Sequence, residues 1–381
     1  MRVDEISESP ILSLIDRIFE ARQRGSTILG LHIGEPDFDT PAGIRAAATR
    51  AMDEGLTHYG PSQGMQDLRE AIAERLHRLH AIPAAASDVV VLPGKLAIYA
   101  SLLATTDPGD EVLLPDPTYL FEQPVQLVGA RPVYFRLRSD FSFDAGALAK
   151  AITPRSRVLI LTSPSNPTGR LLSREEVRAA LEIAREHDLT VLSDETYESL
   201  VYEGPHVAPA SLPEGVGRVV TIGSFSKMFA MTGWRAGYAV APPVLKSRLV
   251  KVVENTLTCV PPFIQRACLW GLQNAEPDIV RFREEFRRRR ERLFELLSAI
   301  PGLHVERPAG AFYMFPRYDL PISSVEFCNR VLDEEKLAVV PGVSFGPAGE
   351  HHFRISFTAP MAALEEGARR LGHFLERASA Q

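Results

Sequence analysis

Between residues 111 and 222 the chain repeats one rhythm, a short apolar run followed by a turn and a helix-compatible stretch. The runs are Glu111 to Leu114, Val133 to Leu137, Arg157 to Thr162, Thr190 to Ser193 and Val219 to Ile222. Strands alternating with helical segments of roughly 10–15 residues predict the α/β class, a mostly parallel sheet with helices over both faces. An earlier run, Val89 to Leu92, feeds through Pro93-Gly94-Lys95 into a helical stretch from Leu96 to Leu103. A strand, a glycine turn and a helix start make an anion site, because unpaired N–H groups and the helix dipole point outward there. In open sheets of this kind ligands sit beyond the carboxyl ends of the strands, so the informative residues are those in the turns after each run.

After Val158-Leu159-Ile160-Leu161 comes a long turn, Thr162-Ser163-Pro164-Ser165-Asn166-Pro167-Thr168-Gly169, with one amide side chain. After Val191-Leu192-Ser193 come Asp194, Glu195 and Tyr197, and after Val219 to Ile222 comes Ser224-Phe225-Ser226-Lys227, with Arg235 further on. An amine is nucleophilic only when deprotonated, so a reactive lysine needs burial or positive neighbours to lower its pKa. Phe225, Met228, Phe229, Met231 and Trp234 supply apolar surroundings, and Lys227 and Arg235 are the only charges among them. Two hydroxyls and a guanidinium beside the lysine could hold a phosphate. A lysine beside a phosphate site points to pyridoxal phosphate. Three successive strand ends thus deliver an Asn, an Asp with a Tyr, and a Lys with an Arg.

The remaining punctuation is of turns and helices. Ile11-Leu12-Ser13-Leu14-Ile15 opens a helical pattern that runs to Arg24 and stops at Gly25. Gly34-Glu35-Pro36-Asp37-Phe38 is read either as a close backbone approach to a ligand or as a plain turn before a helix that Thr40 caps and Pro41 begins. Helices are expected over 41–54 and 65–80, with a turn-rich loop from His58 to Gly64 that carries Tyr59. Residues 310–315 read as a strand, 323–335 as a helix, 353–357 as a strand with a lone arginine, Arg354, and 360–377 as a final helix. At roughly 100–200 residues per domain, 381 residues make two or three units. The expected division is an N-terminal arm and entry segment over 1–40, a large domain over 41–290 and a smaller α/β domain over 291–381.

Net charge decides against one class of partner. Forty-two basic against 48 acidic residues leave −6, the wrong sign for a protein whose affinity comes from neutralising nucleic-acid phosphates. The run Arg287-Arg288-Arg289-Arg290 is expected on a solvated helix face, with Glu284, Glu285, Glu291 and Glu295 as partners. Cys259, Cys268 and Cys328 are odd in number and have no C-x-x-C spacing, which fits a reducing cytoplasm and neither a disulfide framework nor a metal site. No export signal and no run of about 18 apolar residues is present, so neither a membrane nor nucleic acid is expected as a partner.

These blocks together resemble the class I/II aminotransferases of pyridoxal-phosphate fold type I. The matching blocks are Gly34 to Phe38, Tyr59 to Gly64, Gly94-Lys95, Ser165 to Gly169, Asp194 to Tyr197, Ser224 to Tyr238, Gly310 to Phe315 and Phe353 to Ser356, in family order along nearly the whole chain. The resemblance implies a seven-stranded, mostly parallel sheet in the large domain, with the small domain built from the C-terminal part and the arm. It implies pyridoxal 5'-phosphate held by Lys227 as an imine, with Lys227 then moving the proton between substrate Cα and cofactor. Asp194 would pair with the ring nitrogen, Asn166 and Tyr197 with the phenolic oxygen, and Tyr119 would stack on the ring. The phosphate would lie among Gly94, Lys95, Ser224, Ser226 and Arg235, with Tyr59 reaching in from a second subunit of a homodimer. Arg354, with Gly34 and Asn166, would take the substrate α-carboxylate. Pro93 before the glycine, Leu96 after the lysine and Thr196 between Glu195 and Tyr197 depart from the commoner family pattern and leave the catalytic set intact.

The implied reaction is the transfer of an amino group from an L-amino acid to a 2-oxo acid in two half-reactions. Lys95 points to an acidic acceptor such as 2-oxoglutarate, whereas Ile11 and Leu12 point to an apolar or broad donor range. The same fold also supports elimination, decarboxylation or cyclisation. A regulatory domain fused to a DNA-binding module is disfavoured, because Lys227 and Asp194 are both present and the arm begins almost at once.

Overall fold

The computed structural model describes Asp4, Ile6 and residues 10–379, with the side chains of Pro10, Leu12 and Arg22 outside the description. Its centre is a seven-stranded sheet ordered Val89–Val91, Gly237–Val240, Val219–Ser224, Thr190–Asp194, Ser156–Thr162, Glu111–Asp116, Arg131–Arg136. All neighbours are parallel except Gly237–Val240, which runs antiparallel to both of its neighbours. The inner strands are mostly apolar because both faces are covered, whereas the edge strand Arg131–Arg136 has exposed arginines at its ends. Val158 and Ile160 pack with Leu102, Leu249 and Val253 on one face, while Leu159 and Leu161 meet Val177 and Leu181 on the other. That alternation is the two-residue period of a strand. Among the described residues no helix is long and apolar enough to cross a membrane.

A second set of strands is assembled from both ends of the chain. Leu29–Gly30 pairs in parallel with Leu337–Ala338, and Phe353–Ser356 lies between Tyr313–Met314 and Val340–Pro341. Helix Pro10–Gln23 lays Leu14 and Ile18 on Phe315, Leu332, Val340 and Phe345. Behind these strands Phe282, Phe286, Leu293 and Leu297 of helix Glu276–Ser298 pack with Phe327, Phe353 and Phe374. That helix runs unbroken through residue 290.

The structure corrects three local expectations. Thr40 does not cap the helix Ala42–Asp53: Pro41 holds the N-cap position, and Thr40 Oγ1 donates to Ala230 O at 2.6 Å and accepts from Trp234 Nε1 at 3.1 Å. Of residues 310–315 only Tyr313–Met314 forms a strand, because Ala311 takes φ +56°, outside the extended region. The arginine run is not one solvated face. A helix turns about 100° per residue, so four neighbours sweep most of its circumference. Arg287 and Arg288 face solvent beside Glu284 and Glu285, whereas Arg289 and Arg290 are buried. Arg289 bonds Asp37 at 2.8 Å, Glu285 at 2.9 Å and the Thr358 carbonyl at 2.6 Å, and Arg290 bonds the Pro308 carbonyl at 2.9 Å.

Candidate active site

Three central strands end side by side. Thr162 pairs with Asp194, and Asp194 with Ile222, so the turns that follow open into one space. That space is a cavity of about 420 Å³ lined by Asn166, Asp194, Tyr197, Lys227, Tyr313 and Arg354, among others.

Lys227 stands on a single helical turn, Phe225–Met228, that starts where the strand Val219–Ser224 stops. Ser224 begins it by accepting the Ser226 N–H at 3.2 Å. Phe225 and Met228 are buried in the core behind the sheet, which leaves Lys227 for the cavity, where Nζ donates to the Gly34 carbonyl at 2.7 Å. Burial lowers its pKa to about 8, helped by the charges of Arg354 and Arg235 and opposed by Glu35 and Asp194. The apolar neighbours expected around this lysine, Phe225, Met228, Phe229, Met231 and Trp234, pack in that core instead, because the helical turn points Lys227 the other way, whereas the expected Arg235 does line the cavity.

Asp194 ends its strand and is buried. Its two bonds, from Thr196 N–H at 3.2 Å and Thr196 Oγ1 at 2.6 Å, both fall on Oδ1. Oδ2 is left for the cavity. Burial raises the pKa of this carboxyl against the pull of those two bonds. The Tyr197 hydroxyl meets the Tyr313 hydroxyl at 2.9 Å, and burial lifts both phenols, Tyr313 to about 12.

Arg354 lies in the middle of Phe353–Ser356, buried, with its guanidinium 4.4 Å from the Tyr313 ring centroid and 4.9 Å from that of Phe345. It donates to Asn166 Oδ1 at 3.0 Å and to the His32 carbonyl at 2.7 Å, while its Nε–H has no partner among the described residues. A buried guanidinium with donors to spare is an anion receptor.

Gly94 and Lys95 are the first residues of helix Gly94–Thr105, two positions earlier than the sequence pattern places its start. They line the same cavity as Ser224, Ser226 and Arg235. Arg235 has φ +55° and bonds the Thr232 carbonyl at 2.7 Å. Tyr119 lines the cavity too, its ring centroid 6.0 Å from Lys95 Nζ. Tyr59 is the one expected site residue that this chain does not bring to the cavity. It stands 87% exposed, in a separate surface hollow with Cys259, Pro262 and Phe263.

Sequence reasoning missed Tyr313, which lay unremarked inside the Gly310 to Phe315 block. A signal was available at Gly34, where a Cβ would fall 2.0 Å from the Tyr313 hydroxyl. The close approach considered for Gly34 is made to a tyrosine of the same chain. Ile11, Ile15, Ile98 and Leu120 also line the cavity and give it an apolar side. The description does not extend to the Leu12 side chain.

Residues 26–371 match the family model described as aminotransferase class I and II. The chain belongs to that family. Members use pyridoxal phosphate, and this aminotransferase shares their fold type I architecture. It is 40% identical to an aspartate aminotransferase of Pyrococcus abyssi over 368 residues, 94% of each chain. It is 38% identical to an aromatic-amino-acid aminotransferase of Thermococcus litoralis, over 96% of each. The structure of Thermus thermophilus aspartate aminotransferase with maleate superposes with a TM-score of 0.93 at 35% identity, over 98% of each chain. The chain is an amino acid aminotransferase.

Proposed function

We propose that this aminotransferase binds pyridoxal 5'-phosphate in the 420 Å³ cavity and moves the amino group of an L-amino acid to an acidic 2-oxo acid such as 2-oxoglutarate, in two half-reactions. The observation that carries the reading is a lysine with its pKa lowered to about 8, in one cavity with a buried carboxyl and a buried guanidinium. The residues fit the cofactor on two further counts. Among the described residues, the nearest atom that a Cβ at Gly94 would meet outside its own helix and chain neighbours is Ser224 Cβ at 3.8 Å, so the missing side chain leaves open space at a helix start beside Ser224. Asp194 keeps Oδ2 unused inside the cavity.

When bound, the cofactor supplies an aldehyde that takes up the amine and a ring that accepts the electron pair released at Cα. The chain's residues do the rest. A pKa of about 8 leaves roughly a tenth of Lys227 unprotonated at pH 7, against well under a thousandth for an ordinary lysine. That free amine would hold the cofactor through its aldehyde, with loss of water, and, once the substrate amine has displaced it, would carry the proton to and from substrate Cα. Asp194 holds the proton on the ring nitrogen, and Asn166 and Tyr197 donate to the phenolic oxygen. The backbone at Gly94 and Lys95 and the side chains of Ser224, Ser226 and Arg235 would take the phosphate, with Tyr59 of a partner subunit completing the set in a homodimer. Arg354 takes the α-carboxylate through a charge-assisted pair.

Lys95 sets the preference for an acidic acceptor, and the apolar side formed by Ile11, Ile15 and Leu120 receives an uncharged donor side chain. The protein as purified is expected to be yellow. Lys227→Ala is expected to abolish that visible absorbance while sparing the fold, and Lys227→Arg to fail likewise because a guanidinium stays protonated. An unchanged spectrum in Lys227→Ala refutes the assignment. Single-turnover spectra with a panel of amino acids identify the donor, and no transfer from any of them would sink the function.

A further inference from the structure

The turn that presents Asp194 and Tyr197 to the cavity has a second, buried face. Asp194, Glu195 and Glu198 put three carboxylates within five consecutive positions. Glu195 turns away from the cavity, where Oε1 accepts from Ser193 Oγ at 2.8 Å and Thr221 Oγ1 at 3.5 Å, and Oε2 lies 2.8 Å from His206 Nε2. Glu198 turns the same way and meets Arg75 at 2.7 Å and His80 Nε2 at 2.9 Å. The two histidine rings stand edge to face, 5.0 Å apart. All five side chains, Arg75, His80, Glu195, Glu198 and His206, are buried.

The charges of this layer balance in pairs. Arg75 serves Glu198, which is held down to about 2 by that guanidinium and by His80 against the cost of burial. Among the described residues, His206 is the one cationic side chain that Glu195 meets. Burial works against the imidazolium, yet the bond to Glu195 and the charges of Glu195 and Glu198 outweigh it and raise the His206 pKa. Tyr238 faces the same carboxylates from the sheet, and Arg78, Arg174 and Glu175 line the hollow outside the histidines. Glu195 matters to the site because its charge disfavours ionisation of its neighbour Asp194. A bare carboxylate there would work against the one that must stay charged toward the cavity.

We propose that Glu195 and His206 are positioning residues for Asp194: together they anchor its turn from behind and keep the charge behind it neutral. The inference rests on the reading that Asp194 faces the ring nitrogen of the cofactor. His206→Gln strips Glu195 of its cationic partner, whereas Glu195→Gln/His206→Gln removes both ionisable groups with the polar contacts largely kept. Glu195→Gln alone is neutral and retains the acceptor for Ser193 and Thr221.

The test follows the ring-nitrogen resonance of 15N-labelled pyridoxal phosphate on the protein across pH, together with cofactor affinity by fluorescence titration. In His206→Gln the titration midpoint is expected to rise by on the order of one pH unit, as for a like charge placed beside a titrating pair. The double variant and Glu195→Gln are expected to return to the wild-type midpoint. Glu195→Ala, which loses the anchor as well, is expected to bind cofactor about tenfold more weakly, the scale for a group that orients a ligand residue. A role in stability alone would lower the melting temperature and leave the midpoint in place, which overturns the proposal. Where His206→Gln does not fold, wild-type affinity in Glu195→Ala overturns it equally. Asp194→Ala separates the two readings. If it moves the resonance while His206→Gln does not, only the positioning role falls; if neither moves it, the placement of Asp194 falls and the proposal with it.

Discussion

Gly34→Ala tests the most tightly packed contact in the site. The added Cβ would lie 2.0 Å from the Tyr313 hydroxyl oxygen and 2.8 Å from the ring carbon that bears it. Ordinary contact needs about 3.5 Å, so the ring must retreat by more than about 1 Å or the 30–38 segment must lift. Neither is free. Tyr313 is buried, shares a 2.9 Å hydrogen bond with Tyr197, and carries the Arg354 guanidinium 4.4 Å from its ring centroid. Lifting the segment moves the Gly34 carbonyl off Lys227 and the His32 carbonyl off Arg354.

Overpacking of a buried site costs typically about 1–3 kcal/mol, and a displacement of about 1 Å in a catalytic constellation costs about 100-fold in rate. Gly34→Ala is therefore expected to lower kcat/KM by about two orders of magnitude while the protein still folds. The assay is steady-state kinetics with thermal melting as the control. The discriminating arm is Tyr313→Ala. Removing the ring removes the clash, so Gly34→Ala/Tyr313→Ala is expected to be no worse than Tyr313→Ala alone, a strong departure from additivity. Retention of kcat/KM within a few-fold in Gly34→Ala, or multiplication of the two losses in the double variant, refutes the reasoning.

Two further outcomes follow from buried charge. Arg289→Ala removes a guanidinium that ties Asp37, Glu285 and the Thr358 carbonyl together. It is expected to cost about 3–5 kcal/mol in urea unfolding, while Arg288→Ala, an exposed pair with Glu285, costs about 0.5 kcal/mol or less. Equal losses at the two positions would contradict the division of the run. Asp116 is buried at a strand end, both oxygens 3.0 Å from the Ala348 N–H, and burial raises its pKa from 3.8 to about 6 despite that bond and Arg136. A raised carboxyl favours the folded state while protonated, so its contribution is full below about 3.8 and is lost as pH rises through about 6, on the order of 3 kcal/mol in all. Asp116→Asn is expected to gain stability relative to wild type between pH 4 and pH 8, measured by urea unfolding; a difference that does not change with pH counts against it.

Strand periodicity and strand ends were legible in the sequence because they are local. Val158 to Leu161 announces a doubly buried strand by composition alone, and the residues after it must open at the sheet's carboxyl edge. Asn166, Asp194, Tyr197 and Lys227 were found for that reason. What stayed hidden depends on partners far away in the chain. The helical period sets Arg289 and Arg290 apart from Arg288, since both stand three or four positions from Phe286 and Leu293; what it does not show is what a buried guanidinium would meet there, Asp37 and the Thr358 carbonyl, which the fold brings to that side of the helix. Tyr313 is of the same kind, one aromatic residue among several until Gly34 is packed against its hydroxyl. Glu195 is the sharpest case. By spacing it looks like a second carboxylate for the site, yet at a strand end successive side chains point to opposite sides. Asp194 toward the cavity therefore requires Glu195 away from it, and a carboxylate sent into the interior requires a cation to meet it. His206 meets that requirement from eleven positions away along the chain. The catalytic face of the turn and its ionic back are thus consequences of one alternation, which is why perturbing His206 should be felt at Asp194.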